Sequence, residues 1–428
     1  MNITIENIAL IKKAEIDLNG ITVVAGLNKT GKTTIGKSLY AMISAYRNLP
    51  LRVLNSRKSD LRGNVIGILK TNRALFENAP FWISDVAGDL VEPIRAKDLV
   101  EWSADKGHKG VMEYIKKWVH SKREYEEYIP KEEIDGLFKE ICDVLERPRE
   151  EYEKFLIESF VRNVFDKQIS CFYNDKHGKI AFSFSDNKLE TEFAGNELSY
   201  YSPNIVSETR AIYIESINLL DLFQADNKGK RISRGRSMAF SRPALDCIGL
   251  LNKTADVSEE SYEEYIESKK VREVIGYIIG KVTHGSLKND SSGVSFVEEK
   301  GRRPVELSNL SAGLKVFVVI QTLLENGSLK KGDVLLIDEP EINLHPEWQI
   351  VLAEVLVLLR KELGIIIYIN SHSPYFIRAI EVKLAQNDMA LDGKFYLTVL
   401  DDDLYRVEDV SQETERIYEL LYKPLEEL

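Results

Sequence analysis

A chain of 428 residues, 44% of them hydrophobic, is long enough for two or three domains and a substantial core. Its net charge of −11 excludes a surface that is basic throughout and leaves room only for a local basic strip. Cys142, Cys171 and Cys247 lie far apart with no C-x-x-C pair, which excludes a zinc ribbon and a disulfide framework and suits a reducing cytosol.

The first 25 residues alternate as two or three strands and carry no basic-then-apolar leader pattern. They end in GITVVA, Gly20 to Ala25, a β-branched run that reads as a buried strand. Next comes GLNKTGKTT: Gly26, Leu27, Asn28, Lys29, Thr30, Gly31, Lys32, Thr33 and Thr34. The spacing G-x-x-x-x-G-K-T turns backbone N–H groups inward around an anion, extends a lysine toward β- and γ-phosphate oxygens, and offers the Thr33 hydroxyl to Mg²⁺. Ile35, Leu39, Met42, Ile43 and Tyr46 follow at helical spacing, so a helix N-terminus points at the phosphates.

Residues 47–167 read as a mainly helical insertion. Its basic stretch, with Arg47, Arg52, Arg57, Lys58, Arg62, Lys70 and Arg73, fits a nucleic-acid or acidic-partner contact and equally a solvated helical face. QISCFYN (168–174) and KIAFSFS (179–185) read as a hairpin about Asp175 to Gly178, and AIYIES (211–216) as a stronger apolar strand. The segment 228–242, KGKRISRGRSMAFSR, carries Lys228, Lys230, Arg231, Arg234, Arg236 and Arg242 and no acid. It fits a nucleic-acid or phosphate contact, and it fits a solvated loop that balances an acidic protein.

A helical stretch leads on to LSNLSAGLKVFVVIQTLL, in which Ser311, Ala312 and Gly313 open an apolar helix, a potential anion site. GDVLLIDEPEINLHPEWQ then gives an apolar strand ending in Asp338 and Glu339. An Asp at that position holds Mg²⁺ and its waters, and the next carboxylate can address a water in line with the γ-phosphate. Pro346 opens a helix with Trp348, Val351, Leu352, Val355, Leu356 and Leu359 on one side. Glu354, Arg360, Lys361 and Glu362 interrupt this most apolar region, so no segment is expected to span a membrane. GIIIYINSHSP gives a further strand, with His372 just beyond it, where ligands of parallel sheets bind. Asp401, Asp402 and Asp403 read as a hairpin turn rather than as a metal-binding cluster.

In this order, GLNKTGKT, LSAGLK, LLIDEPEINLHP and NSHSP resemble the ABC-type ATPase heads of the SMC, RecF and OLD group. The resemblance, which covers roughly residues 1–46 and 205–380, implies an α/β fold, a P-loop ABC-type head with a mixed sheet and an antiparallel β lobe, and the head is read as 1–46, 168–225 and 285–428. The insertion 47–167 interrupts it, and 226–284 forms a basic loop and helical segment leading to the signature. It also implies ATP as substrate, with Lys32 and the P-loop amides on its phosphates. Thr33 and Asp338 would hold Mg²⁺, Glu339 would activate water, and His372 would sense the γ-phosphate. Ser311, Ala312 and Gly313 would bind ATP held by a second copy, so that two heads sandwich two nucleotides, with Asn343 to His345 crossing the interface.

The sequence departs from the group at Lys29, where many relatives have Gly, and at SAGLK in place of SGGQ. The Mg²⁺-contacting glutamine has only Glu215 and Gln224 as candidates. The long separation of the P-loop from the signature disfavours a transporter subunit, and the insertion lacks the heptads of long coiled arms. The expectation is a cytoplasmic ATP-driven dimer that controls a separately encoded effector, a nuclease or toxin, as in anti-phage ATPases of the Septu, PARIS and retron-associated type. The alternative is a RecF-like or SMC-like DNA clamp in repair, with 228–242 on the phosphates.

Overall fold

The computed structural model describes residues 1–71, 87, 117, 131–215, 219–227, 241–253, 262–290, 293–301 and 303–426. Two compact units make up the chain, Met1–Arg47 with Ser159–Leu428, and Asn48–Glu158. The first holds β1 (Asn2–Ile8), β2 (Ile11–Asp17), β3 (Ile21–Ala25), β4 (Gly178–Phe184), β5 (Asn187–Ala194), β6 (Glu197–Tyr201) and β7 (Ala211–Ile214). It continues with β8 (Gly285–Asp290), β9 (Gly293–Glu298), β10 (Val334–Asp338), β11 (Ile366–Ser371), β12 (Gly393–Asp401) and β13 (Leu404–Asp409).

Eleven strands form one mixed sheet in the order β6-β5-β4-β1-β2-β13-β12-β3-β11-β10-β7, and β8 and β9 pair separately. The neighbours β12, β3, β11, β10 and β7 run parallel, which demands cover on both faces; β3 is accordingly buried at every residue. The β4, β1 and β2 neighbours are antiparallel, and β2 alternates buried with exposed residues as a half-solvated strand does. The fold is thus α/β with an antiparallel lobe.

Side-chain alternation in the parallel strands divides the core. Ile21, Val23, Ile212, Ile214, Leu335, Ile337, Ile367 and Ile369 join one large cluster with residues of the helices Arg242–Leu251, Ala312–Glu325, Pro346–Leu363 and Pro374–Gln386. The intervening residues, among them Tyr213 and Asn370, face the helix Lys32–Tyr46, where an added Cβ on Gly36 would lie 2.9 Å from the Tyr213 hydroxyl.

One expected hairpin is corrected. Residues 168–174 make only a single bridge, Ser170 to Ile8, because the Asn196 carboxamide accepts from the backbone N–H of Ile169 and Ser170 in place of a strand neighbour. β4 pairs instead with β5, with Phe184 opposite Asn187 across a tight turn at Ser185. Asp402 does turn a hairpin, between β12 and β13, and Lys12 pairs with Asp401 and Asp402.

The second unit is helical in its described part, with Leu49–Thr71 and Lys131–Glu146. Arg57 is not on a solvated basic face: it is buried, donates to the Arg147 carbonyl at 2.7 Å and stacks over Tyr152. Arg73 lies outside the described residues. Among the described residues no helix is long and apolar enough to cross a membrane.

Candidate active site

The carboxyl ends of three adjacent parallel strands build the site. Register sets Ala25 beside Ser371 and Asp338 beside Asn370, so the turn after β3, the end of β10 and the residue after β11 converge. Gly26 must be glycine because an added Cβ would lie 1.9 Å from the Thr398 Oγ1. That hydroxyl is fixed on β12, bonded to the Ala25 carbonyl and to Thr30. Gly26→Ala is therefore expected to displace the loop and weaken ATP binding by at least about tenfold, measured by titration calorimetry. Lys29 stands at φ +64°, the left-handed conformation that explains why a glycine suits this position.

Lys32 is 5% exposed. Its ammonium donates to the carbonyls of Gly26 (3.0 Å) and Leu27 (2.8 Å) and lies 3.8 Å from Glu339 Oε1. Burial lowers its pKa, while the charges of Glu339, Asp338 and Glu341 oppose that shift. Thr33 donates to Asp338 Oδ2 at 2.7 Å, and Asn370 donates to Oδ1 at 2.9 Å. Burial raises the Asp338 pKa, opposed by those two hydrogen bonds. Tyr213, on the neighbouring strand, donates to Asp338 at 3.4 Å, and Tyr368 donates to the Asn370 side-chain Oδ1 at 2.7 Å. Burial holds both phenols well above their ordinary range, so they remain donors.

Glu339 stands at φ +46°, a left-handed conformation that costs a non-glycine residue about 1–2 kcal/mol. Its N–H donates to the Asn370 carbonyl, which holds this turn against the strain. His372 Nδ1 lies 3.2 Å from Glu339 Oε1 but off the line of a hydrogen bond, and it has no other partner. Chemically, the loop offers N–H groups and a cation to a polyphosphate, while Thr33 and Asp338 offer two oxygens to a hard cation such as Mg²⁺. These two oxygens lie 2.7 Å apart. Among the described residues no group of three or more His, Cys, Asp or Glu side chains is placed to hold a metal ion.

Lys32, Thr33, Asp338, Glu339 and His372 thus come together in one chain. Ser311, Ala312 and Gly313 do not join them: among the described residues no hydrogen bond or ion pair links them to the P-loop. They start the helix Ala312–Glu325 instead, and Gly313 packs so closely on the loop after β10 that a Cβ would meet the Asn343 carbonyl at 2.7 Å. Ser311, Asn343 and His345 are exposed there.

Of the two candidates for the missing glutamine, Gln224 sits in the helix Leu219–Asn227 bound to Glu306 and Ser308. Glu215 directly follows β7, close enough for its charge to raise the Asp338 pKa. It pairs with Lys37 of the P-loop helix at 3.3 Å and accepts from Ser241. The basic residues Lys228 to Arg236 lie outside the described residues. Arg242 does not: it is tied to Asp246 at 3.0 Å, and Tyr40 of the P-loop helix donates to the same carboxylate.

Sequence reasoning missed Tyr213, Tyr368, Asn370 and Glu341. The first three are polar residues inside apolar strands, a visible signal, yet only register shows them to be neighbours of Asp338. Glu341 is buried at 4% exposure, and burial raises its pKa. The last acid of DEPE was its only trace in the sequence.

A phosphate-cradling turn between a parallel strand and a helix, faced by two carboxylates from a second strand, defines a P-loop nucleotide-binding domain. The family model described as "AAA ATPase domain" matches residues 1–377, and the chain belongs to that family. Among solved structures it is similar to an Smc head bound to the C-winged helix domain of ScpA (10% identity, 97% of this chain and 98% of that one, TM-score 0.42). It is also similar to the SMC head domain from Thermotoga maritima (10%, 96% and 98%, TM-score 0.37). These overlaps are loose, and the functional reading rests on the site residues.

Proposed function

We propose that this chain binds and hydrolyses ATP with Mg²⁺, as a dimer of two heads, and that the cycle controls a separately encoded effector, a nuclease or toxin, in anti-phage defence in the cytoplasm. The observation that carries the ATPase reading is the convergence of Lys32, the Thr33–Asp338 pair and Glu339. In it, the P-loop amides from Gly26 to Thr34 and Lys32 bind the phosphates, and Thr33 and Asp338 hold Mg²⁺, which neutralises phosphate charge when bound. Glu339 takes the proton of the attacking water, and His372 addresses the γ-phosphate.

Dimerisation is supported by Ser311 and Asn343, which are exposed on either side of the buried Gly313 packing and so can meet a second copy's nucleotide. The effector half rests on the resemblance carried together by GLNKTGKT, LSAGLK, LLIDEPEINLHP and NSHSP. Its test is affinity purification of the Glu339→Gln variant from cells carrying the native gene neighbourhood. A stoichiometric protein partner is expected; recovery of DNA alone would overturn the effector reading.

One observation favours the DNA clamp as a second reading. Lys37 and Tyr40 of the P-loop helix hold, through Glu215 and Asp246, the residues Ser241 and Arg242 at the end of the basic segment 228–242. Nucleotide-dependent DNA binding whose salt slope falls by about one for each of Lys228, Arg231 and Arg234 neutralised would establish it.

A further inference from the structure

We propose that Glu341 is a positioning residue for His372: its carboxylate accepts the Nδ1 proton of that imidazole and fixes which ring nitrogen is presented to the nucleotide. The inference rests on the ATPase reading above and adds to it a second carboxylate with a separate task.

Glu341 is clamped to the segment that carries the histidine. Its Oε1 accepts from the Ser371 hydroxyl at 2.6 Å and from the His372 backbone N–H at 3.0 Å. Ser373 holds the same turn through its N–H on Ser371 and its hydroxyl on Gln349. The other carboxylate oxygen, Oε2, is buried and has no partner. His372 Nδ1 is likewise buried and unpartnered, 3.8 Å from Glu341 Oε1, although the side chain as a whole is 38% exposed. The exposed edge of the ring is therefore the one bearing Nε2.

A buried polar atom left without a partner is destabilising, and the Glu341 carboxylate and the His372 imidazole each hold one. A small rotation of the ring brings Nδ1 from 3.8 Å into hydrogen-bond range of Glu341 Oε1 and gives that nitrogen a partner. Catalytic hydrogen bonds are commonly long without substrate and tighten when it binds. With Nδ1 protonated toward the carboxylate, Nε2 is the atom turned outward, as an oriented histidine requires. Glu339 also approaches Nδ1, but it is the more exposed of the two acids and must remain free to accept a proton from water. Glu341 relieves it of the histidine.

Glu341→Gln is the test. The amide retains the shape and can keep Ser371 and the His372 N–H on its oxygen, but it is uncharged, and that oxygen, already accepting two hydrogen bonds, is a weaker acceptor for Nδ1 than the carboxylate. Histidine ¹⁵N NMR of the full chain, with the resonance assigned by loss in His372→Ala, is expected to show Nδ1–H in the wild type and Nε2–H in Glu341→Gln. Turnover is expected to fall about tenfold or more, with the ATP dissociation constant within about twofold, and with no further loss in the His372→Ala background. An unchanged tautomer, or losses that add to those of His372→Ala, would overturn the proposal. Should Glu341→Gln not fold, Glu341→Asp draws the same carboxylate back by one methylene and is expected to shift the tautomer in the same direction; an unchanged one overturns the proposal too. A wild type without ATPase activity would instead remove the ATPase reading, and the NMR arm would still decide the Glu341–His372 pairing.

Discussion

Glu339→Gln is expected to bind ATP as the wild type does and to lose about 10²–10⁴-fold in turnover, the contribution of a positioned general base. Glutamine fills the same space at the end of β10 and preserves the backbone bond to Asn370, so the strained turn and Asp338 keep their places. It removes the one carboxylate that stands between Lys32 and His372. Because neither the P-loop nor the Thr33–Asp338 contact is touched, the loss falls on the chemical step. If hydrolysis resets a dimer, the variant accumulates in the ATP-closed dimer, readable by light scattering with and without ATP. Equal rates for variant and wild type would remove Glu339 from the reaction.

Lys32→Ala is expected to fail one step earlier. A charge-assisted contact to phosphate contributes about 1.5–3 kcal/mol, so the ATP dissociation constant should rise about 10- to 100-fold. The ammonium also ties the carbonyls of Gly26 and Leu27 together, and its removal loosens the cradle itself. Titration calorimetry separates the two variants: tight binding without turnover for Glu339→Gln, weak binding for Lys32→Ala. Wild-type affinity in Lys32→Ala would place the nucleotide elsewhere.

The segments that carry the site were legible because each is punctuated locally. GITVVA, the glycine turn and the amphipathic run after it announce strand, loop and helix within a few residues, and VLLIDE and IIYINSH do the same. Local pattern could not show which strands lie side by side. That β11 separates β3 from β10, bringing Asn370 to Asp338 and His372 to Glu339, is a matter of long-range pairing. The false hairpin at 168–174 has the same origin: an apolar alternating run forms a strand only if a neighbour takes its hydrogen bonds, and here the Asn196 side chain does so. Arg57, one of several basic residues in a helical stretch, reads as part of a contact or a solvated face until its carbonyl partner, distant in sequence, is known.

Phosphate release by the purified chain with Mg²⁺ and ATP, run beside Glu339→Gln and Lys32→Ala prepared identically, tests the central claim most directly. Steady turnover in the wild type with both variants at background is the predicted result. No release from any of the three, or the same release from all, would contradict it.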